Sequence, residues 1–165
     1  MGVLAIAVMS EFPRCPYCGN ESIKSTGDIV YPHREDLKDK VFYECLPCEA
    51  RVGCHNGTDK PLGSLANLEL RRVRSAAHGF FDPLWKKGFM TRDNAYVALA
   101  FELNIPFKFA HIGQFNIEQS KKTIIWAKKI LKDFNYELPE RNERIPKEEN
   151  IQNSEGFISL FGDKR

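Results

Sequence analysis

Two pairs of cysteines limit what this chain can fold into more than any other feature in it. Cys15-Pro16-Tyr17-Cys18 and Cys45-Leu46-Pro47-Cys48 each hold two thiols three positions apart, with the 26 residues 19–44 between the pairs. Such a segment closes a tight turn that aims both sulfurs at one point, and Gly19 behind the first pair allows the left-handed backbone a knuckle of this kind takes. Two knuckles complete a tetrahedral four-sulfur shell, which suits Zn2+, and a shell closed by protein ligands keeps no position for a catalytic water. One structural zinc ion on Cys15, Cys18, Cys45 and Cys48 is therefore expected. In so small a module the metal supplies much of the folding free energy, on the order of 10 kcal/mol. A rubredoxin-like iron site and two redox dithiols would use the same residues. Cys48-Glu49-Ala50 argues against iron, because a rubredoxin would place glycine after the second pair. The fifth cysteine, Cys54, reads as a small buried hydrophobe or a substitute ligand. His55, just before the turn-forming Asn56-Gly57, reads as a loop residue, a reserve ligand or a base.

Five cysteines in 165 residues are too few for a disulfide-dense secreted scaffold, and their pairing points to metal in a reducing compartment. No stretch approaches the roughly 18 to 20 apolar residues that cross a bilayer, so no membrane role is expected. The cytoplasm is the expected location, a host's cytoplasm if the chain is phage-encoded. Met1 to Met9 is apolar but lacks the basic start and the length of a secretory signal. Residues 1–10 are read as an N-terminal extension, which either precedes a natural start at Met9 or forms a short strand.

The rest of the chain divides by pattern. Residues 11–60 form a zinc-ribbon-like module with strand-like runs at Ile29-Val30-Tyr31, Val41-Phe42-Tyr43 and Arg51-Val52-Gly53. From 61 to 136 the periodicity is helical, and this unit is expected to pack on the module. A first helix is predicted after a cap at Ser64, carrying Leu65 and Leu68 in its stripe and ending near Gly79 or Asp82-Pro83. A second is capped by Thr91, stopped by Asn104 and Pro106, and apolar around much of its circumference, so it is expected to be the most buried, central helix. A third starts at Asn116 with Gln119 in the capping-box position, its inner stripe running from Ile117 to Phe134 and Lys121, Lys122, Lys128, Lys129 and Lys132 on its outer side. The fold class is thus α+β, a four-Cys zinc-ribbon-like β module followed by a compact three-helix unit. Its core is expected to include Phe80, Leu84, Leu99, Phe101, Ile124 and Leu131. Residues 137–165 read as a flexible polar linker and a C-terminal tail.

The order CPYCG, then Gly53-Cys54-His55-Asn56-Gly57-Thr58-Asp59-Lys60-Pro61-Leu62-Gly63-Ser64-Leu65-Ala66, then Glu69-Leu70-Arg71, Ala77-His78, Phe81-Asp82-Pro83-Leu84-Trp85 and His111-Ile112-Gly113, resembles a zinc-finger-containing domain family of bacteriophage and bacterial genomes. The resemblance runs over roughly residues 12 to 132. It implies zinc at the four paired cysteines and a phage or prophage origin, and it implies no particular activity.

Whole-chain charge is uninformative, since 24 Lys and Arg against 22 Asp and Glu leave +2. Locally the picture differs: Arg71, Arg72, Arg74, Lys86, Lys87 and Arg92 stand with Asp82 as the single acid between 71 and 92. Interleaved with Phe81, Trp85 and Phe89, this stretch can contact phosphates and stack on bases, or it can be a solvated face over a core. DNA or RNA is the expected partner, in a nucleic-acid-binding or scaffolding role in phage or bacterial DNA metabolism. An alternative is a metal-dependent nuclease using His55, His78, Asp82 and His111, in which His78 and Asp82 share a helix face four residues apart. A third reading is an adaptor that docks through the apolar motif Phe157, Ile158, Leu160 and Phe161: Ile158-Ser159-Leu160-Phe161 resembles the Leu-Ser-Leu-Phe part of the peptide that docks on the bacterial sliding clamp, though Phe157 stands where that motif has Gln.

Overall fold

A computed structural model describes residues 12–136. The Met9 start, the linker after 136 and the Phe157–Phe161 motif lie outside the described residues. The chain parts into two compact units, one running to Leu68 and the other starting at Glu69.

The first unit is built on an antiparallel meander of β1 (Ile23–Thr26), β2 (Val41–Cys45) and β3 (Ala50–Gly53), in the spatial order β1-β2-β3. Register is set by Thr26 opposite Val41 on one side of β2 and Cys45 opposite Ala50 on the other. The strand expected at Ile29-Val30-Tyr31 is absent: Gly27–Val30 form a single helical turn, α1. Its cause is a close backbone crossing in which the Asp28 N–H donates to the Lys38 carbonyl at 3.2 Å and the buried Gly27 lies against the Leu37 carbonyl, leaving no room for a Cβ. Residues 61–66 return along the outer edge of β3. There the Leu62 N–H donates to the Gly53 carbonyl, and Arg51 and Ala66 exchange a pair of backbone hydrogen bonds at 3.0 and 3.1 Å. Leu65, expected in a helical stripe, is instead fully buried in this unit's core with Tyr43, Ala50 and Cys54. A returning segment covers an edge that would otherwise offer unpaired amides.

In the second unit the first helix, α2, spans Leu68–Phe81 and so begins three residues after the predicted start at Leu65. Pro83 ends it; the proline is the first residue of a short helix, α3 (Pro83–Lys86), where its missing N–H costs nothing. Helix α4 (Arg92–Glu102) is capped by Thr91, whose Oγ1 accepts from the Asn94 N–H at 3.2 Å. Helix α5 (Ile117–Asp133) opens with the expected capping box, in which the Asn116 side chain accepts from Gln119 N–H and the Gln119 side chain from Asn116 N–H. Phe80, Leu84, Leu99, Ile124 and Leu131 are buried together with Phe81, Ile112 and Phe115.

Phe101 does not join them; it is 90% exposed. Helix α4 buries Ala95, Tyr96, Leu99 and Ala100, and a position two residues beyond Leu99 lies about 200° around the helix from it. Val97, one turn before Phe101, is exposed on the same side. The apolar outer face of α4 therefore does not mark a central helix. Phe134, expected inside, stacks on Phe89 with ring centroids 4.8 Å apart and stays partly exposed.

Candidate metal centre and basic surface

Each C-x-x-C pair sits at the turn of an antiparallel ladder. The first follows the bridge between Arg14 and Glu21, and the Gly19 N–H donates back to the Cys15 carbonyl at 2.9 Å. The second is the connection between β2 and β3, with Leu46–Cys48 in a 3-10 turn. Both knuckles carry a left-handed residue directly after their second cysteine: Gly19 at φ 74° and Glu49 at φ 49°. The second knuckle accepts this backbone without glycine, at a cost of about 1 to 2 kcal/mol.

The four sulfurs converge. All lie within 4.8 Å of one another, and Cys18 Sγ and Cys45 Sγ are 3.5 Å apart. A tetrahedral zinc site with bonds of about 2.3 Å requires sulfur separations of about 3.8 Å, whereas a disulfide would bring two sulfurs to about 2.05 Å. Cys15 and Cys45 are buried, Cys48 half-buried and Cys18 exposed. The thiols also disfavour sharing their charge. The Asn20 backbone N–H, with help from the Cys45 thiol, holds Cys18 down to about 7, while hydrogen bonding with Cys18 and then burial push Cys48 up to about 12. Burial likewise raises Cys45. Four thiolates at this spacing need a divalent cation among them, and Cys15, Cys18, Cys45 and Cys48 supply a complete shell for one structural Zn2+.

The chain matches the model of a family described as a zinc-finger-containing domain over residues 11–130. It belongs to that family. No curated protein and no solved structure matches the chain. The match spans both units, so the helical unit is as much a part of the zinc-finger-containing domain as the knuckles are.

Cys54, His78 and His111 each make local contacts within their own unit. Cys54 is buried, burial pushes its thiol up, and its N–H donates to the Val41 carbonyl. His55 is exposed and pairs backbone groups with Lys60 across the Asn56-Gly57 turn, beside a shallow cavity also lined by Asp39, Lys40, Thr58 and Asp59. In the helical unit, His78 Nδ1 lies 3.2 Å from Asp82 Oδ1, and Lys86 Nζ donates to Asp82 Oδ2 at 2.7 Å. His111 Nδ1 accepts from the Gly113 N–H and so caps its own 3-10 turn. Among the described residues, the four paired cysteines are the one group of three or more potential ligands whose donor atoms lie this close together.

The basic residues divide similarly. Arg74 is 9% exposed and its Nε donates to the Phe115 carbonyl at 2.8 Å, so its guanidinium is spent inside the fold and leaves the predicted surface set. Arg72, Lys86, Lys87 and Arg92 are exposed and Arg71 half-exposed. Lys86 and Arg92 flank the Trp85 ring at 5.1 and 5.7 Å. On α5 the five lysines 121, 122, 128, 129 and 132 fall within an arc of about 120°, opposite the buried Ile124, Ala127 and Leu131. Sequence reasoning missed the exposed rings Phe101, Phe107 and Phe109. Their one signal is the Phe-Lys-Phe run after a proline, which places two rings in a turn too short to bury both.

Proposed function

We propose that this zinc-binding protein is a nucleic-acid-binding factor of phage or bacterial DNA metabolism, and that its helical unit carries the contact surface. The observation that supports the reading is the distribution of charge. Residues 69–136 hold twelve Lys and Arg against six Asp and Glu, while the whole chain is nearly neutral. A polyanion contacts that excess directly, and counterion release makes such binding favourable at low salt and steeply weaker as salt rises. The zinc module fixes its own fold around a closed metal shell and leaves the cations of the helical unit as the groups that meet phosphate.

The test is fluorescence anisotropy of labelled DNA and RNA oligonucleotides with the zinc-loaded full chain, from about 50 to about 200 mM salt. Binding that weakens across this range is expected. Lys122→Ala, Lys129→Ala and Lys132→Ala lower affinity on all sequences, and each flattens the salt dependence by roughly one ion for every phosphate it no longer neutralises. Arg72→Ala tests the α2 side in the same way. An absence of binding at the lowest salt rejects the reading.

A further inference from the structure

The C-terminal end of α4 leads into a surface whose aromatic rings the fold does not use. Phe101 is almost fully exposed, and Phe107 and Phe109 are each more than half exposed. Asn104, at φ 50°, ends α4 three residues after Phe101, and Pro106 turns the chain into the 3-10 segment Phe107–Phe109, which packs against α4. Three exposed phenylalanines thus come from nine consecutive residues. Cations accompany them: Lys108 stands between Phe107 and Phe109 in the sequence, with its Nζ 5.0 Å from the Phe109 centroid. Glu102, next to Phe101, borders a shallow groove between α4 and α5 whose opposite wall carries Lys122, Ile125 and Lys129.

Resting on the nucleic-acid reading above, we infer that this surface binds single-stranded nucleic acid, with bases stacked on Phe101, Phe107 and Phe109 and phosphates met by Lys108, Lys122 and Lys129. Charge decides the occupant. These three lysines outnumber the acids beside them, Glu102 on the groove wall and Glu118, which meets Lys122 at 2.8 Å. Both members of the Glu118–Lys122 pair are more than half exposed, and such a pair is worth so little in water that a phosphate can take the place of the carboxylate. A polyanion neutralises the lysines while its bases cover the rings. Every base has a π-face for a phenylalanine, which makes such stacking tolerant of sequence. A duplex already stacks its bases on one another and has no free face to offer, so the surface favours a single strand.

The experiment compares the unmodified zinc-loaded chain with Phe101→Ala, Phe107→Ala and Phe109→Ala on a single-stranded oligonucleotide and on the same sequence as a duplex. The exposed rings lie outside the buried core, and thermal unfolding of each variant checks that the fold is intact. Each alanine is expected to weaken single-strand binding about fivefold or more, with little change for the duplex. Phe101→Trp should restore binding and give a fluorescence that single strands quench. Duplex binding equal to single-strand binding, with all three alanine variants unchanged, overturns this inference and leaves the nucleic-acid reading standing. No binding to either form overturns both. If Phe101→Ala instead converts a dimer to a monomer while oligonucleotide binding is unchanged, the rings are a protein interface and the inference fails.

Discussion

Arg74 Nε donates to the main-chain carbonyl of Phe115 at 2.8 Å, joining α2 to the segment that leads into α5 across 41 residues of sequence. A cation on a buried helix face is costly unless its hydrogen bonds are met, and this one has no apolar substitute that serves the Phe115 carbonyl. Arg74→Ala is expected to destabilise the helical unit by about 1.5 to 3 kcal/mol, because it removes a charged donor and leaves a buried acceptor. Exposed Arg72→Ala should shift stability by less than about 0.5 kcal/mol. Both tryptophans of the chain, Trp85 and Trp126, lie in this unit, so their fluorescence during urea unfolding reads the difference. Equal midpoints for the two variants would show that the inward bond does not hold the unit together.

Metal removal should act on one unit and spare the other. The core of the first unit is a handful of residues, three of which are Cys15, Cys45 and the partly buried Cys48. A chelator is expected to unfold residues up to 68 while tryptophan fluorescence and helical circular dichroism persist. Cys45→Ser should have the same effect without a chelator. Zinc uptake displaces protons, since thiolates are the ligands. In the unfolded, metal-free unit the thiols have the ordinary value of about 8.5 and are mostly protonated at neutral pH. At least two protons should therefore leave per zinc, measurable by calorimetry in buffers of different ionisation enthalpy, and affinity should fall as pH is lowered. Release of one proton or none would contradict the four-thiolate site.

The metal centre was legible in the sequence because C-x-x-C spacing is a local constraint: four residues suffice to aim two sulfurs, and only their convergence needed the fold. Helix caps at Thr91 and Asn116 were legible for the same reason, each being a bond between neighbours three residues apart. What failed depended on distant partners. Leu65 has the spacing of a helical stripe, yet it is held in the zinc unit by Ala66 pairing with Arg51, fifteen residues earlier. Arg74 falls on the buried stripe with Leu70 and Ala77, but the carbonyl that satisfies its guanidinium there belongs to Phe115, 41 residues away. Phe101 sits in an apolar helix, and no periodicity distinguishes a ring that faces the core from one left for a ligand.

Two glycines should respond to alanine in opposite directions. At Gly27 a Cβ would collide with the Leu37 carbonyl and carbon, and the clash is with backbone that cannot swing aside. Gly27→Ala is expected to loosen the first unit, lowering zinc affinity and its unfolding temperature. A Cβ added at Gly79, inside α2, would meet nothing within 4 Å beyond its own helix, and the helical backbone there suits any residue. Gly79→Ala should stabilise the helical unit by about 0.5 to 1 kcal/mol by reducing the freedom of the unfolded chain. Thermal unfolding of both variants checks the pair, and a stabilised Gly27→Ala would refute the backbone crossing.

Asp82 joins α2 to α3 by accepting from Lys86 four residues later and meeting His78 four residues earlier. Burial would raise its carboxyl, but the hydrogen bonds from His78 and Lys86 outweigh burial and hold it below the ordinary carboxylate value. A carboxyl lowered on folding stabilises the fold when ionised. That contribution is complete above the ordinary value of about 3.9 and is lost as pH falls through the lower folded value. Asp82→Asn should accordingly cost about 1 kcal/mol at neutral pH, and its stability should converge on that of the unmodified protein under strong acid. Lys86 is more than half exposed, so Lys86→Met alone should cost no more than about 0.5 kcal/mol. It should still move the Asp82 carboxyl titration, followed by carbon NMR, to higher pH. A titration midpoint unchanged by Lys86→Met would mean that Lys86 does not help hold the carboxyl ionised, and that the hydrogen bond with His78 must do so alone.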